Sequence, residues 1–111
     1  MKKSEIKITI ELDDKNIPEK INWEATDRPG NVPSSTKAFS LTLWDDQNKS
    51  TPRIDLWTKD MPVNEMKKYY IDCLGGLAQT LLSATGDEFM SSETHNLCEK
   101  LIEYLKNPDN Q

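Results

Sequence analysis

The side chains that could do chemistry in this chain are few and far apart. His95 is the only histidine, and the two cysteines, Cys73 and Cys98, lie 25 positions apart. Zinc sites usually need several histidine and cysteine ligands, and a cysteine nucleophile needs a base beside it. His95 falls off the apolar stripe that carries Cys98, so it is not placed to activate that thiol. We therefore expect no metal ion, no cofactor, no catalytic residue and no enzyme activity.

Two acidic pairs and one pair of glycines are the remaining candidates. Asp13-Asp14 and Asp45-Asp46 lie in predicted turns, where carboxylates usually shape and solvate the loop. Gly75 and Gly76 lie inside a predicted helix, where each glycine costs about 1 kcal/mol relative to alanine. The sequence therefore predicts that another backbone approaches the helix closely at Gly75 and Gly76. A kink and a ligand lying on bare backbone are the alternatives.

Alternation of apolar and polar residues predicts a first antiparallel hairpin from residues 5–12 and 19–26. One register places isoleucines opposite apolar residues on the inner face. The same register places Lys7 opposite Glu24 on the outer face. Since both faces agree, this register is favoured.

A second hairpin is predicted from residues 37–44 and 53–58, after a loop at residues 26–35 that contains two prolines and a glycine. A register that pairs Leu43 with Ile54 keeps the aliphatic residues on one face. It also sets Trp44 beside Arg53, close enough for a cation–π contact.

The candidate binding surface is the outer face of this second hairpin. It carries Trp44, Arg53, Asp55 and Trp57, whereas the outer face of the first hairpin carries only polar residues. Tryptophans are prominent among binding hot spots, and an uncovered pair is costly to leave in water. We expect a partner protein, a second copy of the chain, or the loop at residues 26–35 to cover this surface.

From residue 62 the apolar period becomes that of a helix. Pro62 suits the first turn, and Gly86 is the expected end. A second helix is expected to begin near Ser91 or Ser92 and to end at Asn107. The predicted fold class is α+β: a four-stranded antiparallel sheet of two hairpins, followed by two helices packed on one face. By length, residues 1–111 form a single domain.

Composition excludes several classes of partner. The net charge is −5 and the pI is about 4.8, which argues against nucleic acid binding because phosphates need lysine and arginine to neutralise them. No apolar run approaches the ~18 residues of a membrane span, so direct membrane insertion is not expected. MKKSEIKITI lacks the apolar core of a signal peptide, which favours a cytoplasmic location. Residues 86–111 carry a net charge of −4, suited to solubility or to a basic partner.

The second half of the chain contains the stretches TPRIDLWTKDMPVNEMKKYYIDCLGGLAQTL, ATGDEFM and LCEKL, and the first half contains ELDDKNIPEKINWEAT and KAFSLTLWD. Together they resemble the gliding-motility-associated GldC family of Bacteroidota over nearly the whole chain. The most specific part runs from Ile54 to Met90. The resemblance implies a small cytoplasmic protein linked to surface gliding, and it brings no catalytic residues with it.

The sequence therefore favours a non-enzymatic cytoplasmic protein-interaction module, accessory to gliding motility or to an envelope-associated machine. Its partner would be another protein, and a homodimer is left open. One alternative is a small acidic chaperone for an exported protein. Another is a small-ligand binder or enzyme that uses Gly75 and Gly76 or the loop at residues 26–35. A deep pocket with converging titratable groups would favour the ligand binder or enzyme. A flat apolar patch would favour the protein-interaction module.

Overall fold

The computed structural model describes residues 1–27 and 34–111, which form two compact units, Met1–Met61 and Pro62–Gln111. The first unit contains the strands and the second contains the helices. Most of the predicted loop at residues 26–35, namely residues 28–33, lies outside the described residues. The α+β class is confirmed, and the single domain stays a prediction.

The first hairpin is formed by β1 (Ile6–Leu12) and β2 (Pro18–Ala25). Its register is the predicted one: Ile10 lies opposite Ile21, and Lys7 lies opposite Glu24. Apolar residues thus pair with apolar residues on one face of the hairpin, and opposite charges pair on the other face, as the alternating pattern requires.

A short third strand, β3 (Ser34–Thr36), pairs antiparallel with β2. The prolines and glycine of residues 26–35 predict a loop that includes Ser34 and Ser35, and no element is predicted at Thr36. The hydroxyl of Ser35 donates to the side-chain oxygen of Asn22, its partner on β2, at 3.2 Å. Backbone pairing and polar cross-strand contacts therefore hold a strand that a hydrophobic pattern does not reveal.

The second hairpin is formed by β4 (Ala38–Thr42) and β5 (Arg53–Trp57). Its register differs by two residues from the predicted one. Leu41, not Leu43, lies opposite Ile54, and Thr42, not Trp44, lies opposite Arg53. A shift of two residues keeps every side chain on its predicted face but changes every cross-strand pair.

The turn explains this shift. Asp45 and Ser50 form a bridge, so only four residues make the loop. The Asp45 carboxylate accepts from the Gln47 N–H at 3.0 Å and from the Asn48 side-chain amide at 2.8 Å. Lys49 takes a positive φ of 52°. Loop length sets hairpin register, and this tight loop was not recognised in the sequence.

The prediction of one four-stranded sheet is wrong: β1, β2 and β3 form one sheet, and β4 and β5 form another. The chain bends at Lys37, between β3 and β4. The Thr36 hydroxyl donates to the Ala38 carbonyl across this bend at 3.0 Å. Because the ladder is interrupted there, one continuous stretch of chain contributes a strand to each sheet.

The helices are α1 (Val63–Thr85) and α2 (Glu88–Leu105), followed by a short 3₁₀ turn at Pro108–Asn110. Gly86 ends α1 as predicted, in the left-handed conformation with φ of 72°, and its N–H donates to the Leu82 carbonyl. The predicted start of α2 at Ser91 or Ser92 is wrong. Asp87 caps the helix instead, because its carboxylate accepts from the Met90 N–H at 2.9 Å.

The two helices pack against each other through small residues. The buried Ser91 hydroxyl donates to the carbonyl of the buried Ala78 at 2.9 Å. The Cys98 thiol, also buried, contacts the Ile71 carbonyl at 3.8 Å. Packing of the helices on a sheet face stays a prediction. Neither helix in the described part of the chain is long and apolar enough to cross a membrane.

We predict that Ile21→Ala lowers the free energy of unfolding by about 3 kcal/mol, because Ile21 is fully buried and its loss leaves a cavity. Urea unfolding followed by tryptophan fluorescence measures the change. Ile54→Ala, at an exposed position of β5, is the control and is expected to cost less than about 1 kcal/mol. Equal effects of the two substitutions would contradict this assignment of the core.

Candidate functional site

The candidate surface is positioned by the corner at which β5 ends. The backbone N–H of Thr58 donates to the Lys37 carbonyl at 2.8 Å, and that of Lys59 donates to the Pro18 carbonyl at 3.0 Å. The Thr58 side chain is buried, and its hydroxyl donates to the Asp60 carboxylate at 2.6 Å. The corner thus ties the second hairpin to the bend at Lys37 and to the start of β2.

An ion cluster reinforces the corner on its polar side. The Lys59 ammonium lies 3.1 Å from the Asp13 carboxylate and 3.4 Å from that of Glu19. Asp13 also accepts from the N–H groups of Lys15 at 2.8 Å and Ile17 at 3.0 Å. Nothing in the sequence analysis linked Asp13 to Lys59, which are 46 positions apart, because only the folded hairpins bring them together.

These contacts shift the titration of the groups involved. Backbone hydrogen bonds from Ile17 and Lys15, and the nearby Lys59 ammonium, lower the pKa of Asp13. The hydrogen bond to Asp13 and the charge of Glu19 raise the pKa of Lys59. Each folded environment therefore favours the charged form of its group, as expected for an ion pair.

The candidate face itself carries Arg53, Asp55 and Trp57 at alternate positions of β5, so all three point the same way. Arg53 donates to both carboxylate oxygens of Asp55, with Nε at 2.8 Å and Nη2 at 3.1 Å. This fork, followed by the hydroxyl of the opposing Ser40, lowers the pKa of Asp55. The two charges offset each other, leaving a polar, neutral strip beside the indole.

Both candidate tryptophans are exposed: Trp57 by 50% and Trp44 by 63%. They do not form one aromatic patch, however. Trp57 lies opposite Ala38 at the start of β4, and Trp44 lies beyond the end of β4. At about 3.3 Å per residue they are roughly 20 Å apart along the hairpin. The structure thus brings Arg53, Asp55 and Trp57 together and places Trp44 at the opposite end.

Gly75 and Gly76 both lie within α1. Apart from the adjoining residues and the nearby backbone of α1 itself, a Cβ atom placed on either glycine would meet no atom of the described residues within 4 Å. The predicted close approach of a backbone is therefore not made by these residues, and it stays a prediction for a second molecule.

The residues with catalytic potential are kept apart. A groove of about 530 Å³ between the helices is lined by His95, Glu88 and three serines. Within residues 1–27 and 34–111, no hydrogen bond joins His95 to a serine or cysteine, and no group of three acidic, histidine or cysteine side chains could hold a metal ion. His95 is exposed, as predicted, whereas Cys98 on the same helix is buried.

Comparison with known proteins gives one match. The model of a family described as "Gliding motility-associated protein GldC-like" matches residues 18–107. This range contains β2 to β5 and both helices, and hence the whole candidate face. No curated protein and no solved structure matches the chain.

The Asp13–Lys59 contact predicts a pH dependence of stability. The folded pKa of Asp13 is lowered, so its contribution is fully present above the unfolded pKa of about 3.9 and is lost as pH falls through the folded value. Asp13→Asn keeps an oxygen for the turn but removes the charge. We therefore expect Asp13→Asn to be less stable than the parent chain at pH 6, and the difference to shrink on acidification.

Urea unfolding between about pH 2 and pH 6 tests this expectation. Asp14→Asn, at the exposed neighbouring position, is the matched control for the loss of one negative charge. A difference between parent chain and Asp13→Asn that stays constant over this range would show that the carboxylate charge is not what stabilises the corner.

Proposed function

The chain belongs to the GldC-like family of gliding motility-associated proteins, and from this premise we propose that it acts as a non-enzymatic protein-interaction module of the gliding machinery. We propose further that it works in the cytoplasm, where it binds a protein of that machinery or of the cell envelope.

The exposed Trp57 side chain, beside the Arg53–Asp55 pair, is the observation that carries this proposal. A half-exposed indole on a strand tied by backbone hydrogen bonds at its end presents a large apolar area to a partner. The neighbouring Arg53 and Asp55 already hydrogen-bond each other, which would lower the entropy that a partner docking on them has to remove.

The absence of a catalytic arrangement supports the non-enzymatic part of the proposal. In the described portion of the chain, the histidine and the two thiols occupy separate environments: His95 is exposed, Cys73 is partly exposed and Cys98 is buried. A nucleophile, a base and an orienting group do not converge.

A second candidate function is that of a small acidic chaperone. It is favoured by large apolar side chains of the helices that are exposed to solvent, among them Leu77, Phe89 and Tyr104. Such side chains, beside the net charge of −4 carried by residues 86–111, would suit a client with exposed apolar and basic segments. A chaperone of this kind would slow the aggregation of unrelated unfolded proteins, whereas a dedicated adaptor would not.

The test compares Trp57→Ala with Phe89→Ala, which removes an aromatic ring that is even more exposed, by 73%, from the helical unit. Both variants replace the native protein in a gliding host of the family. We expect Trp57→Ala to reduce colony spreading and the recovery of a defined gliding protein by at least about tenfold, as for loss of a hot-spot residue. Phe89→Ala is expected to retain both.

Protein levels and melting temperatures of the two variants must match for this comparison. Because Trp44 lies at the other end of the hairpin, Trp44→Ala is expected to have a smaller effect than Trp57→Ala. Normal spreading and recovery with Trp57→Ala would exclude this face as the binding surface. A larger effect of Phe89→Ala would favour the helical surface and the chaperone function.

A further inference from the structure

The strand β1 has an outer edge, which faces away from β2. In the sheet order β1-β2-β3, β1 is an edge strand. The Glu5 carbonyl accepts from the Thr26 N–H at 2.9 Å, so the backbone groups of residue 5 point toward β2. In an antiparallel ladder the direction of the backbone N–H and C=O groups alternates along the strand. The backbone groups of Ile6, Ile8 and Ile10 therefore point away from β2. Among the described residues, β1 pairs with no other strand.

The sequence of this strand, IKITIEL, is nearly symmetric about Thr9. If a second copy of β1 runs antiparallel to the first with Thr9 opposite Thr9, Lys7 lies opposite Glu11 twice. Ile8 then lies opposite Ile10, and their outward backbone groups form hydrogen-bonded pairs. A shift of the copies by one pairing step places Lys7 opposite Thr9 in one direction and opposite Asp13 in the other, and the Asp13 carboxylate is already paired with Lys59.

Opposite charges also alternate across the four neighbouring strands, which are β2 and β1 of each copy. Within one chain, Lys7 faces Glu24 and Glu11 faces Lys20. In the paired edges, the row therefore reads Glu24, Lys7, Glu11 of the second copy and Lys20 of the second copy. Lys7 and Glu11 then each have an opposite charge on both sides, which is the arrangement that favours cross-strand pairing.

The same arrangement also buries exposed apolar side chains of β1 against each other. Ile6 is 76% exposed and Leu12 is 52% exposed, at opposite ends of β1. In the antiparallel pair, Ile6 of one copy lies beside Leu12 of the other. The most exposed apolar residues of the strand thus meet each other, and an open strand edge, which invites uncontrolled pairing, is closed.

We propose that two copies of this chain form a symmetric dimer by pairing their β1 edges about a two-fold axis at Thr9, which joins the two three-stranded sheets into one of six strands. A second copy is the occupant that the strand itself specifies, since its charges and apolar residues match their own symmetry mates. This interface goes beyond the proposed function and lies before residue 18, where the family match begins.

Sedimentation over a range of concentrations tests the dimer. The seam is short, so the parent chain is expected to be dimeric when concentrated and to dissociate on dilution. Thr9→Lys places two lysines opposite each other at the axis but faces Asn22 within its own chain. It is expected to weaken the dimer by about tenfold or more, whereas Thr9→Ser is expected to leave it unchanged. Circular dichroism verifies that both variants are folded.

Disulfide formation provides an independent readout of the register. At the axis, the two residue-9 Cα atoms would be about 4.5 Å apart, within the range of a disulfide, so Thr9→Cys is expected to crosslink readily. Lys7→Cys lies on the same face of β1, but its two copies would be about 13 Å apart and are expected not to crosslink. The parent chain, which retains Cys73 and Cys98, measures the background.

The proposal requires both results: a dimer weakened by Thr9→Lys, and a crosslink formed by Thr9→Cys in preference to Lys7→Cys. A parent chain that sediments as a monomer at every concentration overturns it. So does a dimer that lacks either response, since such a dimer would use another surface.

Discussion

The strand unit depends on one constraint, the register between β1 and β2. Side chains alternate between the faces of a strand, so a slip of one residue would place Lys7 and Glu11 among the isoleucines. The charges on one face and the apolar residues on the other specify the same pairing. Once this pairing is set, the remaining edge of β2 is available to β3, and no strand of the described residues pairs with the outer edge of β1.

Polar contacts, more than a large apolar core, join the rest of this unit. Ile21 is the largest fully buried side chain among the described residues. Around it, the second hairpin is attached through backbone hydrogen bonds of Thr58 and Lys59, and through the ion pair between Lys59 and Asp13. These contacts are directional, and they lie directly after Trp57 in the chain, so they position the end of the strand that carries it.

The proposed function rests on two independent observations. One is the half-exposed indole of Trp57 beside the Arg53–Asp55 ion pair. The other is membership of a gliding motility-associated family. The binding role of this face and a partner in the gliding machinery are what we propose from them.

The sequence by itself determined what local patterns can encode: the register of the first hairpin, the end of α1 at Gly86, and the shared face of Arg53, Asp55 and Trp57 on β5. Only the tertiary structure decided the split into two sheets, the strand β3, and the distance between Trp44 and Trp57. The reason is physical. Alternation defines the face on which a side chain lies, but it is unchanged when a strand shifts by two residues. The register of β4 and β5 therefore depends on the tight loop after Asp45. The split into two sheets depends on the bend at Lys37. Likewise, no local pattern links Asp13 to Lys59, because their contact exists only once both hairpins have formed.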